Sequence, residues 1–180
     1  MTLSDFQEQL HLWHDLFLTA GTAAATLLGL LFVAVSLNSD SILSADRLHL
    51  KQLAEQAYHN YVSVLLVTFL MLMPTSSRRG LAYALTAVAA IMITFTVWRL
   101  VALSRISDDR IGRGRSIRRV APAAMAYLGM ALGAFKLGDQ PEGDGLTLVT
   151  FSVVVLIVAA TATAWDLLVR VAAARRAVER

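Results

Sequence analysis

Residues 16–37 read LFLTAGTAAATLLGLLFVAVSL and contain no charged side chain. About 20 apolar residues in a helix are enough to cross the hydrocarbon core of a bilayer, so this stretch predicts a transmembrane helix. Four further stretches of similar length follow, and the predicted fold is an all-α polytopic bundle of about five transmembrane helices. The predicted spans are residues 16–37, 54–73, 81–103, 120–137 and 146–169, and a cytoplasmic tail follows at 170–180.

The second span is predicted from its length rather than from its hydropathy. Its strongly apolar part, residues 61–73, is too short to cross alone, and Pro74 follows it. Counting back about 20 residues from Met73 therefore places polar residues at the inner membrane boundary. In the fourth span, Pro122 is expected in the first turn, where proline is tolerated. Residues 138–145 are expected to form an acidic turn before the fifth span.

The composition is typical of a membrane domain. Of the 180 residues, 57% are hydrophobic and 16% are charged, and the mean hydropathy is +0.61. Soluble domains carry about 25% charged residues. The chain has no cysteine, which excludes disulfides and thiolate metal sites. The residues outside the spans are too few for a separate soluble catalytic domain, so we expect a protein that is not an enzyme.

The distribution of basic residues predicts the orientation, because cytoplasmic segments of membrane proteins are rich in lysine and arginine. We expect the N-terminus outside and the C-terminus in the cytoplasm. The cytoplasmic side then holds 13 of the 16 basic residues, and the outer side holds only Arg78, Arg79 and Lys136.

Six of the cytoplasmic arginines form an arginine loop between the third and fourth spans. They are Arg105, Arg110, Arg113, Arg115, Arg118 and Arg119. We expect this loop to attract anionic lipid. Binding of nucleic acid is not expected, because no aromatic residue lies among the arginines to stack on bases.

The segment GLLFVAVSLN at residues 29–38, together with Met73-Pro74 at the end of the second span, resembles a group of small, mostly uncharacterised bacterial membrane proteins. The resemblance covers little more than the first two spans. It implies a multi-pass protein of the bacterial plasma (inner) membrane and implies no activity.

Small residues recur at helical spacing on two of the spans. Small side chains four residues apart let helix backbones approach closely, as in the G-x-x-x-G pattern. Such faces serve either packing within one subunit or a homo-oligomer interface that lines a pore. The candidate pore-lining or interface residues are Gly21, Thr22, Ala25, Thr26, Gly29, Ser36, Gly129 and Gly133.

Histidines and carboxylates share one face of the helix that precedes the first span. Glu8, His11, His14 and Asp15 fall on this face at about 100° per residue. Two imidazoles and two carboxylates suit a divalent cation at the outer surface or a proton-responsive switch. The alternative is a polar face at the membrane surface, with Trp13 as an interfacial anchor.

A second polar set is expected at the inner boundary. Charged groups at this depth face the bundle and pair with one another, because lipid does not solvate them. They form either a structural clamp or the start of an ion or proton path. The set comprises Glu55, His59, Asn60, Arg99, Asp166 and Arg170.

Three functions are compatible with these features. The first is a homo-oligomeric, channel-like assembly for an ion or small solute, with the first span as the pore helix. The second is a scaffold or regulatory subunit of another membrane complex. The third, a metal- or haem-binding membrane protein, ranks last because His14 and His59 are expected at opposite membrane surfaces.

Overall fold

The described part of the chain is all-α. The computed structural model describes residues 3–42, 48–74, 77–106, 110–139 and 144–178, and these residues form helices without a strand. Five helices are long, and one short helix, α2, follows the first of them. The helices are α1 (Leu3–Leu37), α2 (Ser39–Ile42), α3 (Leu48–Leu72), α4 (Arg78–Ile106), α5 (Arg110–Asp139) and α6 (Asp144–Val178).

Among the residues that the structure describes, four helices are long and apolar enough to cross a membrane. The spans are His11–Leu37, Arg78–Trp98, Val120–Asp139 and Gly145–Ala173. Large apolar side chains also cover the outer surface of the bundle, where Phe69, Phe135 and Phe151 are each about two-thirds exposed or more. Contiguous apolar surface of this kind is typical of contact with lipid. The chain is therefore a multi-pass integral membrane protein, which confirms the predicted all-α transmembrane fold.

The helix α3 is not among these four spans, because its first half is polar and includes Lys51 and Glu55. It nevertheless lies at the centre of the bundle, where it packs against α1, α4 and α6. Tyr61, Val64 and Val67 are at most 1% exposed. A helix that is covered by other helices needs less apolar surface than one that faces lipid on most sides.

The helices α1 and α3 run in opposite directions. A Cβ atom on Gly21 of α1 would lie 2.9 Å from the Thr68 hydroxyl of α3. Farther along α1, the Phe32 ring lies 5.8 Å from the Tyr58 ring, centroid to centroid. Residue numbers therefore rise along α1 as they fall along α3, and α3 occupies the same depth as the middle of α1.

The remaining helices also alternate in direction. Residues 73–77 join α3 to α4 and residues 107–109 join α4 to α5, and connections this short join antiparallel neighbours. In α5 and α6, Gly129 lies against Ser152 while Gly133 lies against Gly145, so these two helices are antiparallel as well.

The helix that contains the fourth predicted span begins before Val120, although the apolar part of that helix also starts at Val120. The helix α5 begins at Arg110, so most of the predicted arginine loop is helical and Pro122 lies inside α5 rather than in its first turn. Gly112 and Gly114 lie inside α5, although glycine is unfavourable in a helix interior. Arginine has a high helix propensity. Because the connection between α4 and α5 is short, the arginines that follow it lie within α5.

The acidic turn is also shorter than expected from residues 138–145. The helix α5 continues to Asp139 and α6 begins at Asp144. The contact between α6 and α5 begins in the first turn of α6, where Gly145 packs against the backbone of Leu137. The helix α6 extends beyond the predicted fifth span and continues to Val178.

Candidate functional site

Three polar side chains meet inside the bundle, between α3 and α5. The Tyr127 hydroxyl donates to Asn60 Oδ1 (3.1 Å) and lies 2.9 Å from Ser63 Oγ. Ser63 Oγ also donates to the carbonyl oxygen of His59 (2.7 Å). Asn60, Ser63 and Tyr127 are 3%, 0% and 2% exposed, so their hydrogen bonds form away from solvent and lipid. We call these three residues the core polar cluster.

The core polar cluster contains one unused donor. The amide nitrogen of Asn60 has no hydrogen-bond partner among the described residues. A buried donor without a partner costs about 1–3 kcal/mol, so it raises the free energy of the folded state unless something binds to it. None of the three side chains carries a charge. The cluster therefore suits a hydrogen-bonding neutral group such as an internal water, rather than an ion.

A second polar link joins α3 to α6 close by. The Tyr61 hydroxyl lies 3.1 Å from Thr161 Oγ1, which itself donates to the carbonyl oxygen of Ile157 (2.8 Å). Hydrogen bonds between transmembrane helices fix their rotation as well as their contact. Together with the core polar cluster, this link fixes α3 relative to both α5 and α6.

The sequence prediction included Asn60 but missed Ser63 and Tyr127. The available signal was the placement of a hydroxyl three residues after Asn60 and of a tyrosine in the middle of an otherwise apolar span. That signal identifies polar residues that need partners. It does not identify the partners, because α3 and α5 are far apart in the chain.

Replacing Tyr127 with phenylalanine is expected to lower the free energy of unfolding by about 0.6–1.7 kcal/mol, the range found for hydrogen bonds between transmembrane helices. The change removes the hydroxyl that donates to Asn60 and lies 2.9 Å from Ser63 Oγ, and it leaves the ring in place. Titration with sodium dodecyl sulfate in mixed micelles, followed by circular dichroism, measures the difference. Tyr83→Phe is the control, because Tyr83 is 74% exposed. Equal losses for the two variants would contradict a role for the cluster.

The polar residues predicted at the inner boundary on α3 point in different directions. Asn60 faces Tyr127 in the core polar cluster. His59 lies at the side of the bundle, where its ring is 5.9 Å from the Phe95 ring of α4. His59 Nδ1 donates to the carbonyl oxygen of Glu55 (2.6 Å). These two neighbouring residues therefore belong to separate environments.

The charged residues of the same set form local pairs. Glu55 lies 3.9 Å from Lys51, one turn earlier on α3, and about half of each side chain is exposed. Asp166 accepts a hydrogen bond from Arg170 Nε at 2.9 Å on α6, with about a third of each side chain exposed. Exposed pairs at this spacing contribute only about 0.3–0.5 kcal/mol. The side chain of Arg99 lies outside the described part of the chain.

Gly129 and Gly133 of α5 are used for packing within the subunit. A Cβ atom on Gly133 would lie 2.8 Å from the carbonyl oxygen of Gly145, and one on Gly129 would lie 2.8 Å from Ser152 Oγ. These distances leave no room for a side chain. Gly129 and Gly133 therefore hold α5 against α6, and neither is free to line a pore. Gly21 likewise packs against Thr68.

The rest of the small-residue face of α1 points outward. Its five residues are exposed, and nothing lies within 4 Å of a Cβ atom built on Gly29. The hydroxyls of two of its threonines donate to carbonyl oxygens one turn earlier, at 2.8 and 2.9 Å. We call this set the outer α1 face; it comprises Thr22, Ala25, Thr26, Gly29 and Ser36.

The histidine and carboxylate face near the start of α1 is exposed, and its three described residues lie at the beginning of the span His11–Leu37. His11, His14 and Asp15 are exposed, and the two imidazole rings lie 6.2 Å apart. Within the residues that the structure describes, no group of three histidine or acidic side chains is placed to hold a metal ion. The side chain of Glu8, which completes the predicted set, lies outside them.

Comparison of the chain with family models, with curated proteins and with solved structures gives no match.

Proposed function

We propose that this multi-pass membrane protein assembles with copies of itself through the outer α1 face, and that the assembly provides a path for an ion or small solute. The role is not enzymatic, and the expected location is the bacterial plasma membrane. The observation that carries the proposal is Gly29, which lies in the middle of a span with no neighbour within 4 Å of its Cβ position.

Gly29 needs an explanation that the single subunit does not provide. Glycine in the interior of a helix is about 1 kcal/mol less favourable than alanine. The glycines at the contact between α5 and α6 offset this cost by close packing, as Gly133 does against Gly145. A second α1 helix packed against Gly29 would give it the same use, since small residues let two transmembrane helices approach closely.

The spacing of the outer α1 face fits a helix–helix seam. Thr22, Gly29 and Ser36 are seven residues apart, and Ala25 and Thr26 lie between the first two. A seven-residue repeat stays on nearly one face of a helix and is the spacing of left-handed helix pairs. Closed cyclic symmetry is the usual outcome for identical subunits.

The chemistry of the outer α1 face suits a polar path. The Thr22 and Thr26 hydroxyls donate their protons to the backbone of α1, so each oxygen keeps lone pairs that face outward. Such oxygens accept hydrogen bonds from water and coordinate cations weakly. The polar groups inside the subunit do not offer such a path, because the core polar cluster is buried among packed side chains.

Replacing Gly29 with leucine tests the proposal. The leucine fills the groove and is expected to weaken self-association on the order of tenfold or more, the factor for about 1.4 kcal/mol of lost packing. Light scattering of the purified protein in detergent measures the mass, and ion flux into liposomes measures the path. Ala87→Leu on α4 is the control, because Ala87 is also exposed and lies on another helix.

The wild-type protein is expected to be an oligomer with measurable flux, and Ala87→Leu is expected to behave like it. A wild-type monomer without flux would contradict the proposal and favour a scaffold or regulatory subunit of another membrane complex. Unchanged mass and flux in Gly29→Leu would show that α1 is not the assembly helix.

A further inference from the structure

The outer side of α4 carries a groove that is not involved in the proposed assembly through α1. It is lined by Ala90, Ile91, Thr94, Phe95 and Trp98 and has a volume of about 450 Å³. Small-molecule sites have volumes of about 300–1,000 Å³. The Thr94 hydroxyl donates to the carbonyl oxygen of Ala90 (2.7 Å), so its proton is already used within α4. The groove is therefore suited to an apolar chain.

One wall of the groove is held in place by α3. The centroid of the Phe95 ring lies 5.9 Å from that of the His59 ring, and the centroid of the Tyr58 ring lies 5.4 Å from it. His59 is itself fixed by the hydrogen bond from Nδ1 to the carbonyl oxygen of Glu55. The groove is thus supported by two helices.

The groove runs along α4 from within the hydrocarbon core of the bilayer to the membrane surface. Ala90 and Trp98 are eight residues apart, which is about 12 Å along a helix. Trp98 is the last residue of the span and is 68% exposed. Tryptophan concentrates at the membrane–water interface. One end of the groove therefore opens at the depth of lipid headgroups.

The chain is strongly basic at that end of the groove. Arg99 follows Trp98 directly, one helical turn beyond Phe95. Residues 99–119, which include the end of α4 and the start of α5, contain seven arginines against two aspartates. Basic residues beside a membrane attract anionic lipid, at about 1 kcal/mol for each residue near the surface.

From this arrangement we propose that the α4 groove binds one anionic phospholipid from the leaflet on the arginine-rich side. One acyl chain lies between Ala90 and Trp98, and the phosphate lies at the depth of Arg99. Apolar lining, depth and charge all fit this occupant. Binding requires only that α4 crosses the bilayer, and it is independent of whether α1 forms a pore.

Quenching of Trp98 fluorescence by brominated lipid tests the site. The chain has three tryptophans, so Trp13→Phe with Trp165→Phe leaves Trp98 as the reporter in the full-length protein. The protein is reconstituted in phosphatidylcholine vesicles that contain an equal mole fraction of brominated phosphatidylglycerol or of brominated phosphatidylcholine. We expect phosphatidylglycerol to bind on the order of fivefold more tightly, the factor given by one arginine at the surface.

Two pairs of variants separate the groove from general attraction to the membrane. Arg99→Gln is expected to remove the preference for phosphatidylglycerol, whereas Arg79→Gln at the other end of α4 leaves it unchanged. Ala90→Leu fills the groove and is expected to reduce the preference at least twofold, whereas Ala162→Leu on the exposed side of α6 leaves it unchanged.

Equal quenching by the two lipids would overturn the proposal. So would equal effects of Arg99→Gln and Arg79→Gln, because the preference would then follow the overall charge of the protein. If inorganic phosphate in the buffer abolished the preference, the basic end would be a phosphate site without a bound lipid, and the proposal would again fail. Circular dichroism of each variant checks that the fold is retained.

Discussion

Replacing Gly133 with alanine is expected to lower the free energy of unfolding by about 2 kcal/mol, within the range for extra atoms forced into a packed interior. The new Cβ atom would lie 2.8 Å from the carbonyl oxygen of Gly145 and 3.0 Å from side-chain atoms of Leu148 and Val149. A backbone oxygen does not move aside as a flexible side chain does. The helices α5 and α6 must separate, and their contact is one of the most extensive in the bundle.

Gly29→Ala is the matched control for this experiment. The same methyl group is added to a glycine in the middle of a span, but nothing lies within 4 Å of it. At protein concentrations low enough to separate the subunits, its free energy of unfolding is expected to stay unchanged or to rise by up to about 1 kcal/mol, because alanine favours the helix. Titration with sodium dodecyl sulfate in mixed micelles compares the two variants. Equal destabilisation by both would mean that Gly29 is also packed within the subunit.

These two glycines show what the sequence pattern could not predict. Both belong to a spacing of four that is typical of close helix packing, and the pattern is the same whether the partner is in the same subunit or in another. The difference depends on how each helix is rotated about its axis. That rotation is set by contacts such as the one between Tyr127 and Asn60, which are 67 residues apart in the chain.

The fold was more predictable than the site, because hydropathy and length act locally. The long uncharged run of residues 16–37 predicted a helix that ends at Leu37, as α1 does. The start of α5 was not predicted, because Gly112 and Gly114 are loop signals whose effect depends on their neighbours. There the short connection between α4 and α5 and the arginines on both sides of the glycines favoured the helix.

The polar half of α3 raises the question of how many helices cross the membrane. Four helices meet the requirements of length and hydropathy, and α3 does not. Its position answers part of the question, because Thr68 lies against Gly21 and Tyr58 against Phe32. These α1 residues lie inside the span His11–Leu37. We infer that α3 crosses with α1. Its polar residues Asn60 and Ser63 are buried, and its exposed pair Lys51 and Glu55 lies near the start of the helix.

A crossing α3 makes the number of spans odd and places the two ends of the chain on opposite sides. Reporters inserted in residues 43–47 and at 75–76 are therefore expected to read opposite sides of the membrane. With most basic residues on the side of residues 43–47, that side is expected to be cytoplasmic. A reporter after Arg180 should read cytoplasmic as well, and one in residues 140–143 should read external.

The result is all or none for each position, because a reporter enzyme such as alkaline phosphatase is active on only one side of the membrane. A helix that failed to cross would leave both α3 reporters on the same side. The reporters in residues 140–143 and after Arg180 control for the rest of the bundle, since α6 lies between them and crosses by its own hydropathy. If those two differ while the α3 pair agrees, α3 is a buried helix that enters and leaves from one side, and the protein has four spans.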